Sequence, residues 1–212
     1  MRHQMTDYAA LRARMVERDI AGRGIRDPLV LAAMGEVPRE RFVPEHLYDD
    51  AYVDAPLPIP GAQTISQPYI VAVMIDALGL EGGERVLDVG TGSGYAAAVL
   101  SRIAGQVFTI EVHQELAETA GRRFSELGYD NITSRHGDGR LGWPEHAPFD
   151  GIVVAAAARD VPEALLRQLR VGGRLVIPVG REGHQDLLCI TKSGPDRYDE
   201  RYMEAVRFVP LV

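Results

Sequence analysis

Three glycines at alternate positions, Gly90, Gly92 and Gly94, follow the run Val86-Leu87-Asp88-Val89 and precede a helix-forming stretch that begins at Tyr95. A strand that ends in this way lets the main chain approach a bound adenosine-type ligand, because no side chain stands between them. Acidic residues recur around the loop. Asp88 lies inside the strand, where a carboxylate is costly unless the loop or a cationic ligand stabilises it. Glu111 ends the next strand, a place from which an acidic side chain accepts both hydroxyls of a ribose. Asp138, between Gly137 and Gly139 after the third strand, can accept the exocyclic amine of an adenine. Singly, Glu111 and Asp138 read equally well as a solvated strand-end charge and a turn residue. Together, beside the loop, they read as ligand groups, whereas Asp150 reads as structural. The six histidines show no base-plus-acid spacing.

A dinucleotide site carries G-x-G-x-x-G, with a pyrophosphate at the helix N-terminus. Here the spacing is tighter and an acidic residue is already present at Asp88, which suits a ligand without phosphate. S-adenosylmethionine is such a ligand, with a cationic sulfonium and ammonium, a ribose for Glu111 and an adenine for Asp138. The expected cofactor residues are Asp88, Gly90, Thr91, Gly92, Gly94, Glu111, Asp138 and Gly139. A nicotinamide oxidoreductase is the competing enzyme class, and a non-catalytic cofactor-binding module is the competing non-enzyme.

These residues need strands and helices in alternation. The pattern predicts strands over Arg85–Val89, Val107–Glu111, Ile132–His136, Phe149–Ala155 and Arg174–Val179. Helices are expected over Tyr95–Ile103, Gln114–Leu127 and Pro162–Leu169, the last capped by Asp160 and ended by Gly172-Gly173. Val- and Ile-rich strands in βαβα order imply an α/β fold, a doubly wound Rossmann-like sheet that is mainly parallel. Two further strands, near Asp186–Thr191 and Ala205–Val209, are separated by the turn Ser193-Gly194-Pro195-Asp196 and should pair antiparallel. Upstream, Thr6 or Asp7 caps a helix with Tyr8, Leu11 and Met15 on one face, and Asp27-Pro28 starts a second. A proline-punctuated connector from Val37 to Gly61 follows and reads as ordered coil. Gln67-Pro68 then opens a helix over Tyr69–Leu78, and Gly82-Gly83 turns the chain into the first strand. Residues 1–80 are read as a helical and coil extension packed on a core of residues 81–212.

Composition bounds the partners. A chain of 212 residues with 46% hydrophobic residues can bury a full core, and its net charge of −7 without any Lys/Arg run argues against nucleic acid. Cys189 is the only cysteine, so neither an intrachain disulfide nor a metal site of several thiolates can form, and Leu187-Leu188-Cys189-Ile190 reads as a buried strand. The opening Met1-Arg2-His3-Gln4-Met5-Thr6-Asp7 lacks the apolar core of a signal peptide, and no stretch approaches a membrane span. A cytoplasmic monomer, free of membrane and metal, is expected.

Several segments together resemble one family, the protein-L-isoaspartate (D-aspartate) O-methyltransferases. Gln63-Thr64-Ile65-Ser66-Gln67-Pro68-Tyr69 is similar to the family's distinctive segment, and Val86 to Leu100 is similar to its cofactor loop. Pro38-Arg39-Glu40-Arg41-Phe42-Val43-Pro44, Ala51-Tyr52-Val53-Asp54, Gly137-Asp138-Gly139-Arg140, Pro148-Phe149-Asp150, Gln168 to Gly180 and Phe208-Val209-Pro210-Leu211 continue the likeness in order. The glycine loop says only methyltransferase; Thr64-Ile65-Ser66 selects the family. The resemblance implies methyl transfer from S-adenosylmethionine, which leaves as S-adenosylhomocysteine, to the free α-carboxyl of L-isoaspartyl residues in damaged proteins or peptides. It also implies Ser66 as the catalytic residue, orienting that carboxylate, with Thr64, Ile65, Val209 and Leu211 on the substrate side. The bland reading of Ser66 is a cap for the helix at Pro68. A methyltransferase of the same lineage, acting on a normal aspartate of a biosynthetic peptide, is the alternative. Ala155-Ala156-Ala157-Ala158 and Ala96 depart from the family pattern, which usually has a threonine and a glutamine there.

Overall fold

The computed structural model describes residues 6–181 and 183–212. Met1 to Met5, on which part of the signal-peptide reading falls, lie outside the described residues. Asp7 caps helix α1 (Tyr8–Arg14) by accepting the Ala10 amide at 3.0 Å, as its side-chain type predicts. The helix does not stop there. It widens into a π-type turn over Met15–Ile20 and tightens over Ala21–Arg23 before Gly24 ends it. Asp27 caps α2 (Pro28–Glu36) through the Leu29 and Val30 amides at 2.7 and 3.2 Å.

The connector holds more structure than its prolines suggested. Short 3-10 turns span Arg39–Phe42 and Glu45–Asp50, and a small antiparallel hairpin pairs β1 (Leu57–Ile59) with β2 (Gln63–Ile65). Three-residue strands that pair only with each other leave little periodic signal, and a two-stranded ribbon tolerates Pro58 because its missing amide can face away from the partner.

From α3 (Pro68–Leu78) onward the alternation follows the pattern: β3 (Arg85–Val89), α4 (Tyr95–Ser101), β4 (Gln106–Glu111), α5 (Gln114–Glu126), β5 (Ile132–His136), β6 (Phe149–Val154) and α6 (Glu163–Arg167). Three long strands, β7 (Leu169–Arg181), β8 (His184–Gly194) and β9 (Arg197–Val206), complete it. The seven-stranded sheet has the order β5-β4-β3-β6-β7-β8-β9, parallel from β5 to β7 and antiparallel beyond. Strand order therefore reverses beside β3, which pairs with β4 on one side and β6 on the other. That reversal opens a crevice at the carboxyl ends of the strands.

Period-two alternation sorts the strand residues onto two faces. Val86, Val107, Val153, Val176 and Leu187 join one apolar cluster with α3, α4 and the N-terminal residues Met15, Ile20 and Met34. Leu87, Phe108, Ile110, Ile152 and Leu175 join the other, with Trp143 and Leu165. On α5 the buried residues Leu116, Ala117, Ala120 and Phe124 follow helical spacing.

Three expectations are corrected at the C-terminal side. α6 is shorter than predicted, and its N-cap is Pro162 without any side-chain cap, so Asp160 does not serve. Gly172-Gly173 lies within β7 rather than ending the helix: the β6–β7 register slips between Phe149 and Gly151, and a Cβ on Gly173 would stand 2.9 Å from the Asp150 carbonyl oxygen. Close backbone approach at the bulge, not helix termination, requires glycine there. Finally, the last strand starts at Arg197, immediately after the expected turn, and ends at Val206, not Val209. Its sequence Arg197-Tyr198-Asp199-Glu200-Arg201 hides it, because an edge strand with solvent on its faces carries charges. Val209 and Leu211 instead flank Ala157, whose amide donates to the Val209 carbonyl at 2.8 Å while its carbonyl accepts from the Leu211 amide at 2.8 Å.

Candidate active site

The crevice beside β3 holds a cavity walled by the glycine loop, the ends of β4 and β6, the hairpin and the C-terminal segment. Its lining includes Gly90, Thr91, Gly92, Glu111, Gly139, Thr64, Ile65, Ser66, Val209 and Leu211, ten of the residues singled out by sequence. Local chain geometry explains the loop. The Gly90 and Thr91 amides both donate to the Ile110 carbonyl, at 2.8 and 3.2 Å, which ties the loop to the end of β4. Gly94, at φ +93°, turns the chain into α4. A Cβ there would stand 2.7 Å from the Phe124 ring, so Gly94 serves the packing of the loop's helix and lies outside the cavity lining.

Glu111 is 5% exposed and is held by main-chain donors: Gly92 N–H at 2.7 Å on one carboxylate oxygen and His113 N–H at 2.9 Å on the other. Each oxygen retains a lone pair for a ligand hydroxyl.

Asp88 does not reach the cavity. It is wholly buried below the loop, on the sheet face shared with Val86, and accepts the Thr109 hydroxyl at 2.7 Å. The Thr109 oxygen lies 2.5 Å from the Thr91 hydroxyl, so a short chain of polar groups runs from Asp88 to the loop. The other Asp88 oxygen has no partner. Burial pushes its pKa up to about 7, an effect opposed by the Thr109 hydrogen bond and reinforced by the nearby Glu111. Thr109 was missed by sequence reading; its one signal is a hydroxyl inside the apolar run Val107-Phe108-Thr109-Ile110.

Asp138 also stands back from the lining. Its carboxylate is engaged by Arg140, through the backbone N–H at 2.9 Å and the guanidinium at 2.8 Å, and that hydrogen bonding holds its pKa below the usual carboxylate range. Its neighbour Gly139 lines the cavity instead. Asp150 is structural: it accepts the Arg85 amide at 2.7 Å and pairs with Arg170. Cys189 is buried in β8.

On the opposite wall, Ser66 follows β2 and precedes α3. The helix is capped without it: Gln67 is the N-cap residue and makes no side-chain cap bond, while Asp54 accepts the Tyr69 amide at 3.0 Å. Ser66, Thr64, Ala155 and Val209 line both this cavity and a second one, which continues toward Arg23, Glu204, Arg207 and Phe208. Val112 and His113 also line the first cavity and carried no sequence signal, and Ala156, named above only as a departure from the family pattern, lines it too.

The site carries the groups that an adenosyl ligand calls for. Loop backbone at Gly90 and Gly92 faces the cavity without side chains, an acidic group waits at the end of β4, and no Lys or Arg appears in the lining among the described residues, as a pyrophosphate would favour. A doubly wound sheet with this loop defines the class of S-adenosylmethionine-dependent methyltransferases. The sequence matches the family described as Protein-L-isoaspartate(D-aspartate) O-methyltransferase (PCMT) over residues 10–212. It is 58% identical over 199 residues to Protein-L-isoaspartate O-methyltransferase 2 of Pelobacter propionicus, covering 93% of this chain and 88% of that one. It is 57% identical over 208 residues to Protein-L-isoaspartate O-methyltransferase of Methylorubrum populi, covering 98% and 97%. Among solved structures, a beta-aspartate methyltransferase (PCMT) from Plasmodium falciparum in complex with S-adenosyl-L-homocysteine superposes with a TM-score of 0.81 at 27% identity, covering 95% of this chain and 98% of that one. The chain belongs to the protein-L-isoaspartate (D-aspartate) O-methyltransferase family.

Proposed function

We propose that this protein transfers a methyl group from S-adenosylmethionine to the α-carboxyl of L-isoaspartyl residues in damaged proteins or peptides, with Ser66 at the junction between donor and acceptor. The single observation that carries this reading is the sharing of Ser66 by two adjoining cavities, one walled by the glycine loop and one open toward the C-terminal segment. When bound, S-adenosylmethionine supplies an electrophilic methyl on a sulfonium.

The chain's own groups supply placement. Loop backbone at Gly90, Thr91 and Gly92, with Gly139, borders the adenosyl part, and Glu111 accepts the ribose hydroxyls. Asp88 acts from below through Thr109 and Thr91 rather than by contact, and Asp138 acts through the turn it forms with Arg140. A carboxylate with an ordinary pKa near 4 is ionised at neutral pH and needs no strong base. Catalysis then rests on alignment of nucleophile, methyl and leaving sulfur. The Ser66 hydroxyl donates to the α-carboxylate and holds it in line. Thr64, Ile65, Val209 and Leu211 flank the acceptor.

Transfer of labelled methyl to an isoaspartyl peptide and to its normal aspartyl twin tests the reading. Methylation confined to the isoaspartyl form is expected; equal labelling of both would favour the lineage that modifies a normal aspartate. Residues 1–80 act in this scheme as an extension that carries the acceptor side, and residues 81–212 as the methyltransferase core. We place the protein in the cytoplasm as a monomer that works without nucleic acid. Its net charge of −7 supports the last point, and among the described residues no helix is long and apolar enough to cross a membrane.

A further inference from the structure

Arg39 is wholly buried, and heads the fully buried side chains in size. A guanidinium in such a place is heavily penalised unless paired. Burial lowers its pKa, and no carboxylate lies within ion-pair distance of it among the described residues. Its partners are main chain and an aromatic face. Nε donates to the Ala51 carbonyl at 2.7 Å, Nη2 donates to the Ser66 carbonyl at 2.8 Å, and the guanidinium carbon stands 4.7 Å from the centre of the Tyr95 ring. Nη1 has no partner. The side chain is therefore placed where two carbonyls need it, at the expense of a donor left unused.

Those contacts share a geometry. Ala51 precedes the β1–β2 hairpin and Ser66 follows it, so one rigid fork ties together both ends of the segment that forms the acceptor wall. Tyr95 is the residue next to Gly94 and itself lines the cavity, so the same guanidinium takes its reference from the glycine loop. We propose that Arg39 is a positioning residue for methyl transfer: it sets the register of Ser66 against the cofactor loop by clamping the Ser66 and Ala51 carbonyls over Tyr95. The proposal rests on the reading that the Ser66 hydroxyl orients the acceptor carboxylate.

Arg39→Lys keeps a charge but loses the fork, and Arg39→Gln keeps donors but loses the charge. Each is compared with the wild type in methyl transfer to an isoaspartyl peptide, with S-adenosylhomocysteine affinity from calorimetry as the control. The expected result is a fall in kcat of tenfold or more in Arg39→Lys, with S-adenosylhomocysteine affinity within threefold of wild type. Because the effect runs through Ser66, the same substitution made in a Ser66→Ala background is expected to cost less than threefold. Full kcat in Arg39→Lys overturns the proposal, and so do losses that multiply in the double variant. Loss of S-adenosylhomocysteine binding by both Arg39 variants assigns the side chain to fold stability alone and overturns it too. Absence of methyl transfer to the isoaspartyl peptide by the wild type would instead strike the functional reading itself.

Discussion

One Glu111 carboxylate oxygen accepts the Gly92 amide at 2.7 Å, which couples the acidic end of β4 directly to the middle glycine of the loop. The other oxygen accepts the His113 amide, so the group is oriented before any ligand arrives. In Glu111→Gln one of these main-chain donors must lose its acceptor, because a carboxamide offers a single oxygen. Affinity for S-adenosylhomocysteine is expected to fall by about tenfold or more, roughly 1.4 kcal/mol. Calorimetry checks this, and affinity within threefold of wild type would refute the ligand role of Glu111.

The buried Asp88 makes stability depend on pH. Its folded-state pKa of about 7 lies above the ordinary value of 3.8, so the folded state holds a proton that the unfolded state has released. Stability contributed by that proton is present at low pH and is lost as pH rises from about 4 through about 7, to the extent of about 4 kcal/mol. Asp88→Asn removes the ionisation. Denaturant unfolding is expected to show the variant more stable than wild type at about pH 8, with the gap closing by about pH 4; a gap independent of pH would contradict the assignment.

Gly94 and Gly24 offer a matched pair. Both have left-handed backbone, φ +93° and +109°, but a Cβ at Gly94 meets Phe124 at 2.7 Å whereas at Gly24 nothing lies within 4 Å. Gly24→Ala should cost about 1–2 kcal/mol from backbone strain alone. Gly94→Ala adds overpacking of about 1–3 kcal/mol and displaces α5 or the loop. Thermal unfolding should therefore rank Gly94→Ala well below Gly24→Ala, and equal losses would mean that Phe124 yields freely.

For Ser66→Ala, turnover on an isoaspartyl peptide should fall to a small but measurable residue while S-adenosylhomocysteine affinity stays within about tenfold, roughly 1.4 kcal/mol. α3 has its own cap residue and Asp54 as acceptor, so the substitution removes no cap. A large loss of cofactor affinity would move Ser66 to the donor side of the cavity.

Much of the site was legible because its signals are local. Apolar alternation, a glycine run after a strand and acids at strand ends are read within a few residues, and Gly90, Thr91, Gly92, Glu111 and Gly139 do line one cavity. Errors arose where the deciding contact is distant in sequence. The polar edge strand β9 and the bulge at Gly173 depend on neighbours that periodicity does not record. The hairpin of β1 and β2 is too short to show a period at all.

What the sequence by itself determined was the order of elements, the two-faced sheet and the chemical character of the donor loop, since each follows from residue type and spacing along the chain. Only the tertiary structure decided which polar groups face the ligand. It turned Asp88 beneath the loop against Thr109, engaged Asp138 with Arg140, and brought Ser66 from outside the alternating core to the far wall of the cavity. The physical reason is that hydrogen-bond partners and burial are assigned by packing between segments: Arg39 clamps a carbonyl 27 positions away, a relationship that no local pattern encodes.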